Sequence, residues 1–293
     1  LLRLVKVTKE ANVRRAAIRA LGELKATSAV DELLKLSEDP NTHKIIRMNA
    51  IYALGEIGDP KTVDSLVLSL YRDKAFFFFQ AGLALVKIGE PAIDPLVQTM
   101  FGKNAEVKKL NEQNVEVLAG AMESNAAKVL GDIGSPKAVE PLMKMVEKIQ
   151  KWEDETNQML VMTRLISALG TIGDERALKV PVDFLDKEFW DVRMVCANAI
   201  NAIGDRSAVE VLFKHVTGGE HPRTRAPLIE AIGNLATEET LPKLKEMQKT
   251  QKDVTVSEAL RESIKRLEAH EQCKQDVSCW IGKLKDPQSA VRE

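Results

Sequence analysis

Charge of one sign is missing from this chain. Its 42 basic and 43 acidic side chains leave a net charge of −1 over 293 residues. That balance excludes a polyanion-binding surface spread over the whole molecule, though not a local basic patch. Aromatic residues are scarce at 4%, and the three Trp, at positions 152, 190 and 280, are scattered. A protein that handles displaced bases needs a basic groove with aromatic platforms, so no nucleic-acid partner is expected. No apolar run approaches the roughly 20 residues that cross a bilayer as a helix. A phosphate loop, a nucleophile elbow and a paired metal-binding helix are absent as well, so no catalytic residue, metal or cofactor is expected. What remains, 44% hydrophobic and 29% charged residues, is the composition of a folded chain rather than a disordered one.

The organising feature is a repeat. The phrase ALGEIGD at 53–59 has relatives anchored near 20, 53, 84, 129, 168, 199, 231 and 263, at intervals of 33, 31, 45, 39, 31, 32 and 32 residues. Near-constant spacing of this kind marks a stacked array. Counting from the small anchor residue, apolar side chains recur at −7, −3, +1 and +4. In the second copy these are Ile46, Ala50, Leu54 and Ile57, a stripe of helical period. A Gly-Asp-Pro turn follows at 58–60, and a second stripe begins with Val63, Leu66, Val67 and Leu70. Neither helix can bury its stripe alone, so the units must stack. The spacing predicts an all-α, right-handed α-solenoid of about eight two-helix repeats, occupying 1–293 as a single array. The two long intervals place insertions at 101–122 and 148–158. The opening LLRLVKV, without an initiator Met, and the closing DPQSAVRE read as pieces of neighbouring repeats, so the array is expected to be truncated at both ends.

The stretch VRRAAIRALGELKATSAVDELLKL resembles a HEAT repeat, specifically the short HEAT-like subtype associated with phycobilisome lyases. The resemblance covers essentially the whole chain and rests on packing residues. What it implies is a non-enzymatic protein–protein interaction scaffold with a protein partner. The alternative it implies is a phycobilin-lyase-like or nucleic-acid-processing HEAT enzyme.

Arg recurs at −6 as Arg14, Arg47, Arg193 and Arg225. In HEAT repeats this position commonly reaches acidic residues of the intervening turns, here Asp59, Asp174 or Asp205, and a structural ladder is expected. His215 and His221 flank VTGGE and read as solvated loop residues. Cys196 occupies a core position. In HEQCKQDVSC at 270–279, Cys273 and Cys279 could form a disulfide stapling a turn, remain free thiols, or join His270 as an incomplete metal site. A bridge would place the protein in an extracytoplasmic, oxidising compartment, and free thiols in the cytoplasm.

Residues 76–79 are four consecutive phenylalanines, half of the eight in the chain. In register, Phe77 takes the core −7 position and Phe78 interrupts the Arg ladder. Phe79 and Leu83 fall at −5 and −1, where most other repeats carry polar residues such as Arg15 and Arg19. Only the second repeat is also apolar there, with Met48 and Tyr52. Met48, Tyr52, Phe76, Phe79 and Leu83 are therefore expected to form one apolar binding patch, facing either a partner or residues 101–122 folded back over it.

Overall fold

Each repeat turns on two residues that the sequence writes side by side. In the computed structural model the helix Lys44–Ile57 ends at Gly58, whose φ of 74° lies in the left-handed region where a residue without a Cβ meets no clash. Asp59 then accepts a hydrogen bond from the Lys61 amide at 3.0 Å and caps the short 3₁₀ turn Pro60–Thr62. The same device recurs at Gly173 and Asp174, which accepts from the Arg176 amide at 3.0 Å. It recurs again at Gly204 and Asp205, which accepts from the Ser207 amide at 2.8 Å. Asp31, Asp64, Asp94, Glu140 and Glu210 occupy the first turns of the helices that follow, where a carboxylate complements the helix dipole.

The structure describes residues 1–113, 120–186, 189–217, 221–274 and 276–285. Helices account for all regular structure among them, with no strand. The chain is an all-α, right-handed α-solenoid of two-helix repeats. It divides into two compact units, Leu1–Ala168 and Leu169–Glu293. In the first, helices Ala11–Glu23, Lys44–Ile57, Phe78–Ile88 and Ala121–Ile133 alternate with Val30–Glu38, Val63–Ser69, Ile93–Met100 and Val139–Ile149. In the second, Trp190–Ile203, Pro222–Leu235 and Val254–Cys273 alternate with Val209–Thr217, Leu241–Thr250 and Val277–Lys285. The periodic stripes are the core: Ile18, Leu33, Leu54, Leu66, Leu85 and Leu96 are fully buried in the first unit, and Ile200, Leu212, Ile229 and Leu260 in the second.

The joints between repeats explain the phrase ALG. In five repeats the residue two places after the anchor is a glycine that packs against the anchor of the next repeat. A methyl added at Gly22 would lie 2.7 Å from the Ala53 Cα, and one at Gly131 2.8 Å from the Ala168 Cα. In the second unit, one at Gly170 would lie 2.7 Å from the Ala199 Cα.

Of the segment 101–122, residues 105–113 form the helix Ala105–Gln113, whose Val107 is fully buried; Val115 and Leu118 lie outside the described residues. Helices Val139–Ile149 and Glu155–Ile172 are joined by residues 150–154. There Asp154 caps the second helix through the Asn157 backbone amide at 3.0 Å, and the Gln158 side-chain Nε2 donates to the carbonyls of Ile149 and Trp152, each at 3.1 Å. The closing DPQSAVRE, 286–293, lies outside the described residues.

The phenylalanine run is not wholly helical, as its register implied. Only Phe78 and Phe79 belong to the helix Phe78–Ile88. Before it, Asp73, Lys74 and Ala75 hold φ of 51°, 58° and 61°, a left-handed turn of three non-glycine residues that costs on the order of 1–2 kcal/mol each. Phe77 is buried beneath this turn, as its core position requires.

Candidate functional site

The helix faces that carry positions −8, −5 and −1 line up across the first three repeats. They read Asn12, Arg15 and Arg19, then Ile45, Met48 and Tyr52, then Phe76, Phe79 and Leu83. Between the first two runs an open groove of about 600 Å³ lined by Arg15, Arg19, Ile45, Met48, Asn49 and Tyr52, with Gln80 contributed by the third. The face as a whole, rather than the groove, changes character, from basic in the first repeat to apolar in the second and third. Phe79 is 82% exposed, Leu83 59% and Phe76 54%, with Met48 at the margin of exposure and Tyr52 half-buried.

Tyr52 sits between two cations. The Arg19 guanidinium lies 5.3 Å from its ring centroid and the Lys87 ammonium 5.4 Å. Lys87 also pairs with Glu56. That bond holds the Glu56 carboxyl below the usual range, against the opposing pull of burial. The Lys44 ammonium stands 4.6 Å from the Phe76 ring.

Arg47 ties the phenylalanine turn to the second repeat. It is 3% exposed, donates from Nε to the Ser37 carbonyl at 3.1 Å, and pairs with Asp73 at 2.8 Å. Its guanidinium also covers the Phe77 ring at 4.6 Å. Arg14 makes the equivalent bond to the Val5 carbonyl at 2.9 Å. Arg14 and Arg47 thus reach the end of the preceding helix, while Asp59, Asp174 and Asp205 serve as turn caps. Asp174 is bonded by the Arg176 side chain and amide, which pull its carboxyl down to about 2. Arg193 and Arg225 hold buried Nε atoms at the corresponding positions of the second unit.

Glu123 was not singled out by the sequence. It is 9% exposed, and burial raises its carboxyl above the usual glutamate range. The neighbouring Tyr71 donates its hydroxyl to the Met122 carbonyl at 3.0 Å, and burial raises that phenol too. The signal for Glu123 was a carboxylate at −6, the place where other repeats carry Arg.

In the second unit, Cys273 and Cys279 form a disulfide with a Cα separation of 5.3 Å, joining the end of helix Val254–Cys273 to helix Val277–Lys285. The His270 ring packs edge-on against Trp280, 4.8 Å between centroids. Cys196 is fully buried, which raises its thiol. His215 corrects its reading as a solvated loop residue. It lies in helix Val209–Thr217, is 9% exposed, and stands 3.5 Å from Asp186. His221 is exposed and caps helix Pro222–Leu235, accepting from the Arg223 amide at 3.1 Å. Among the described residues no three His, Cys, Asp or Glu side chains converge as a metal site, and no helix is long and apolar enough to cross a membrane.

Stacked helix pairs joined through small residues, with an open face across successive repeats, define an α-solenoid repeat protein. The chain belongs to the HEAT-repeat family: the model described as HEAT repeats matches residues 1–78 and 179–265, and that of the PBS lyase HEAT-like repeat matches 124–148. Among curated proteins it is similar to deoxyhypusine hydroxylase-B of Oryza sativa subsp. japonica, 24% identical over 253 residues, covering 85% of this chain and 74% of that protein. Among solved structures it is similar to the complex of CpcE and CpcF of phycocyanin lyase from Nostoc. There the identity is 17% and the TM-score 0.39, covering 91% of this chain and 94% of that one. It also shares its fold with Kap121p bound to Nup53p, at 11% identity and a TM-score of 0.56, covering 99% of this chain and 36% of that one.

These findings correct the expectation of a non-enzymatic scaffold. The curated relative that matches 85% of the chain is an enzyme, so the reading of this chain as no enzyme is withdrawn. The expectation failed for a physical reason. The repeat residues are chosen by helix packing, and packing residues are the same whether a solenoid catalyses a reaction or only binds.

Proposed function

We propose that this chain is a HEAT-like modifying enzyme, or the substrate-holding part of one, that acts on a protein docked on the face of the first three repeats. The observation that carries this reading is the face of these repeats: a groove between the first two, with exposed cations on one side, and the exposed Phe76, Phe79 and Leu83 of the third beside it. Similarity to a deoxyhypusine hydroxylase over 253 residues supports the enzymatic part, as does the PBS lyase HEAT-like repeat at 124–148. Solenoid neighbours of the same fold bind protein partners, as Kap121p does Nup53p. Burial raises the Glu123 carboxyl above the usual glutamate range, which favours its proton-bearing form relative to an exposed glutamate.

The test is co-expression with two candidate substrates, a deoxyhypusine-bearing protein and an apo-phycocyanin supplied with its chromophore. Intact-mass spectrometry of each substrate reads the outcome. The reading expects a mass gain in one of them, one oxygen atom in the first case or the chromophore in the second. It also expects the gain to be lost with Arg19→Glu in the groove. An unchanged mass in both substrates overturns it.

A further inference from the structure

We infer that the face of the first three repeats receives an acidic peptide segment bearing apolar side chains. This deepens the reading above by naming the chemistry of what docks, and it depends on that reading only in calling the peptide a substrate.

Two independent features of the face select this ligand. The first is unneutralised positive charge. Arg15 and Arg19 are exposed and make no ion pair with a carboxylate among the described residues, and neither does Lys44 beside Phe76. Two acids of the second and third repeats are already engaged, Glu56 by Lys87 and Asp73 by Arg47. On a chain with a net charge of −1, a local excess of cations of this kind steers an acidic partner. The second is apolar area. Phe79 and Leu83 are exposed at 82% and 59%, with Phe76 and Ile45 beside them at 54% and 45%. An apolar row of this size is what a docking anchor requires.

The two features are arranged in register. Positions one helical turn apart on parallel helices present cations in the first repeat and apolar groups in the second and third. A peptide lying across the three helices therefore meets charge at one end and anchors at the other. Nucleic acid fits less well, because the second and third repeats offer its phosphates Met48, Tyr52, Phe79 and Leu83 rather than a basic track. The strained turn at 73–75 supports the same assignment. Arg47 holds it in place, and it sets Phe76 at the rim of the face.

The experiment uses the whole chain and a fluorescein-labelled synthetic peptide of alternating Glu and Leu blocks with one Phe, read by fluorescence anisotropy. Controls are the same peptide with Gln for Glu, the same with Lys for Glu, and a single-stranded oligonucleotide. The expected order is Glu peptide first, Gln peptide weaker, and Lys peptide and oligonucleotide weaker still, with the preference for Glu fading as salt rises. Phe79→Ser and Arg19→Glu should each weaken the Glu peptide by about tenfold or more. Phe79 is 82% exposed, so Phe79→Ser should leave the melting temperature unchanged, and Arg19→Glu should lower it only slightly through the lost contact with Tyr52. Equal binding of the Glu and Lys peptides, tighter binding of the oligonucleotide, or indifference to both variants overturns the inference. If the Glu peptide binds as expected while neither candidate substrate is modified, the enzymatic reading fails and this one stands. If a substrate is modified but the peptide series shows no preference, the reverse holds.

Discussion

Gly55 lies so close to Ala84 that a methyl group added to it would sit 2.6 Å from both the Cα and the Cβ of the alanine. Helix propensity alone says that Gly55→Ala should stabilise by up to about 1 kcal/mol. The contact says the opposite, because the obstructing atoms include backbone that cannot rotate away, and overpacking of this kind costs about 1–3 kcal/mol. The expected result is a net loss of stability for Gly55→Ala in chemical denaturation. Gly282, in helix Val277–Lys285, has open space where its Cβ would stand. There the same change should stabilise by about 0.5–1 kcal/mol. A gain for Gly55→Ala would show that the joint is not tight.

The pair of Arg47 and Asp73 should break asymmetrically. Arg47 is 3% exposed, whereas the Asp73 side chain is 30% exposed. Asp73→Ala strands a buried guanidinium and should cost about 3 kcal/mol. Arg47→Met leaves a partly hydrated carboxylate and keeps most of the volume, so its cost should be nearer 1–2 kcal/mol. Ala75→Gly relieves the left-handed strain at φ 61° and should stabilise by about 1 kcal/mol. Denaturant midpoints of the three variants give the order directly.

Glu123 gives the chain a pH signature. Its carboxyl is raised by burial, so the folded state holds this proton to higher pH than the unfolded state does. Stability from this group therefore falls as pH rises from the usual glutamate range through the raised value, and the loss is complete above it. Glu123→Gln should be the more stable protein at neutral pH. Its advantage should shrink on acidification and vanish below the ordinary glutamate pKa. A constant difference across pH would mean that Glu123 is not held protonated by burial. Asp174 works in the other direction. Its carboxyl is lowered to about 2 by Arg176, so its contribution is present above the usual aspartate range and disappears as pH falls toward 2.

The bridge between Cys273 and Cys279 closes a short loop, and chain-entropy arguments give such a link roughly 2 kcal/mol. Unreduced digests of the native protein should contain the linked peptide. Reduction should raise hydrogen exchange in helix Val277–Lys285 and leave helix Trp190–Ile203, which carries buried Cys196, unaffected. Complete alkylation of both thiols without reductant would show the pair to be free in the native protein.

Helix pairs, their stripes and their turns were legible in the sequence because packing repeats at fixed intervals. Ile46, Ala50, Leu54 and Ile57 announce one buried face wherever they occur, and all four are buried. The surroundings of the phenylalanines were less legible. Register placed Phe77 in the core and Phe79 on the outer face, yet nothing in the letters DKA foretells a left-handed turn of non-glycine residues. That turn exists because Arg47, 26 positions away, reaches Asp73, and such long-range tethers leave no periodic trace. Glu123 escaped for a related reason. A carboxylate at a position usually held by Arg is visible, but its burial depends on what Tyr71 and its neighbours exclude from water. The catalytic or non-catalytic nature of the chain was not legible at all, since the residues that define the repeat are those that touch other repeats.

The close joint between a glycine and the next anchor also sets how freely this chain could be rebuilt. The repeats at 131 and 168 keep their contact although five residues, 150–154, separate the helices that carry the link between them. The third repeat has Val86 where five of the others have glycine, and it is followed by the longest interval of the array. Lengthening a link therefore leaves neighbouring repeats fastened, whereas enlarging one side chain at the joint forces them apart. For anyone grafting a loop or a binding segment into this scaffold of helices, the tolerant coordinate is length and the forbidden one is a single carbon atom.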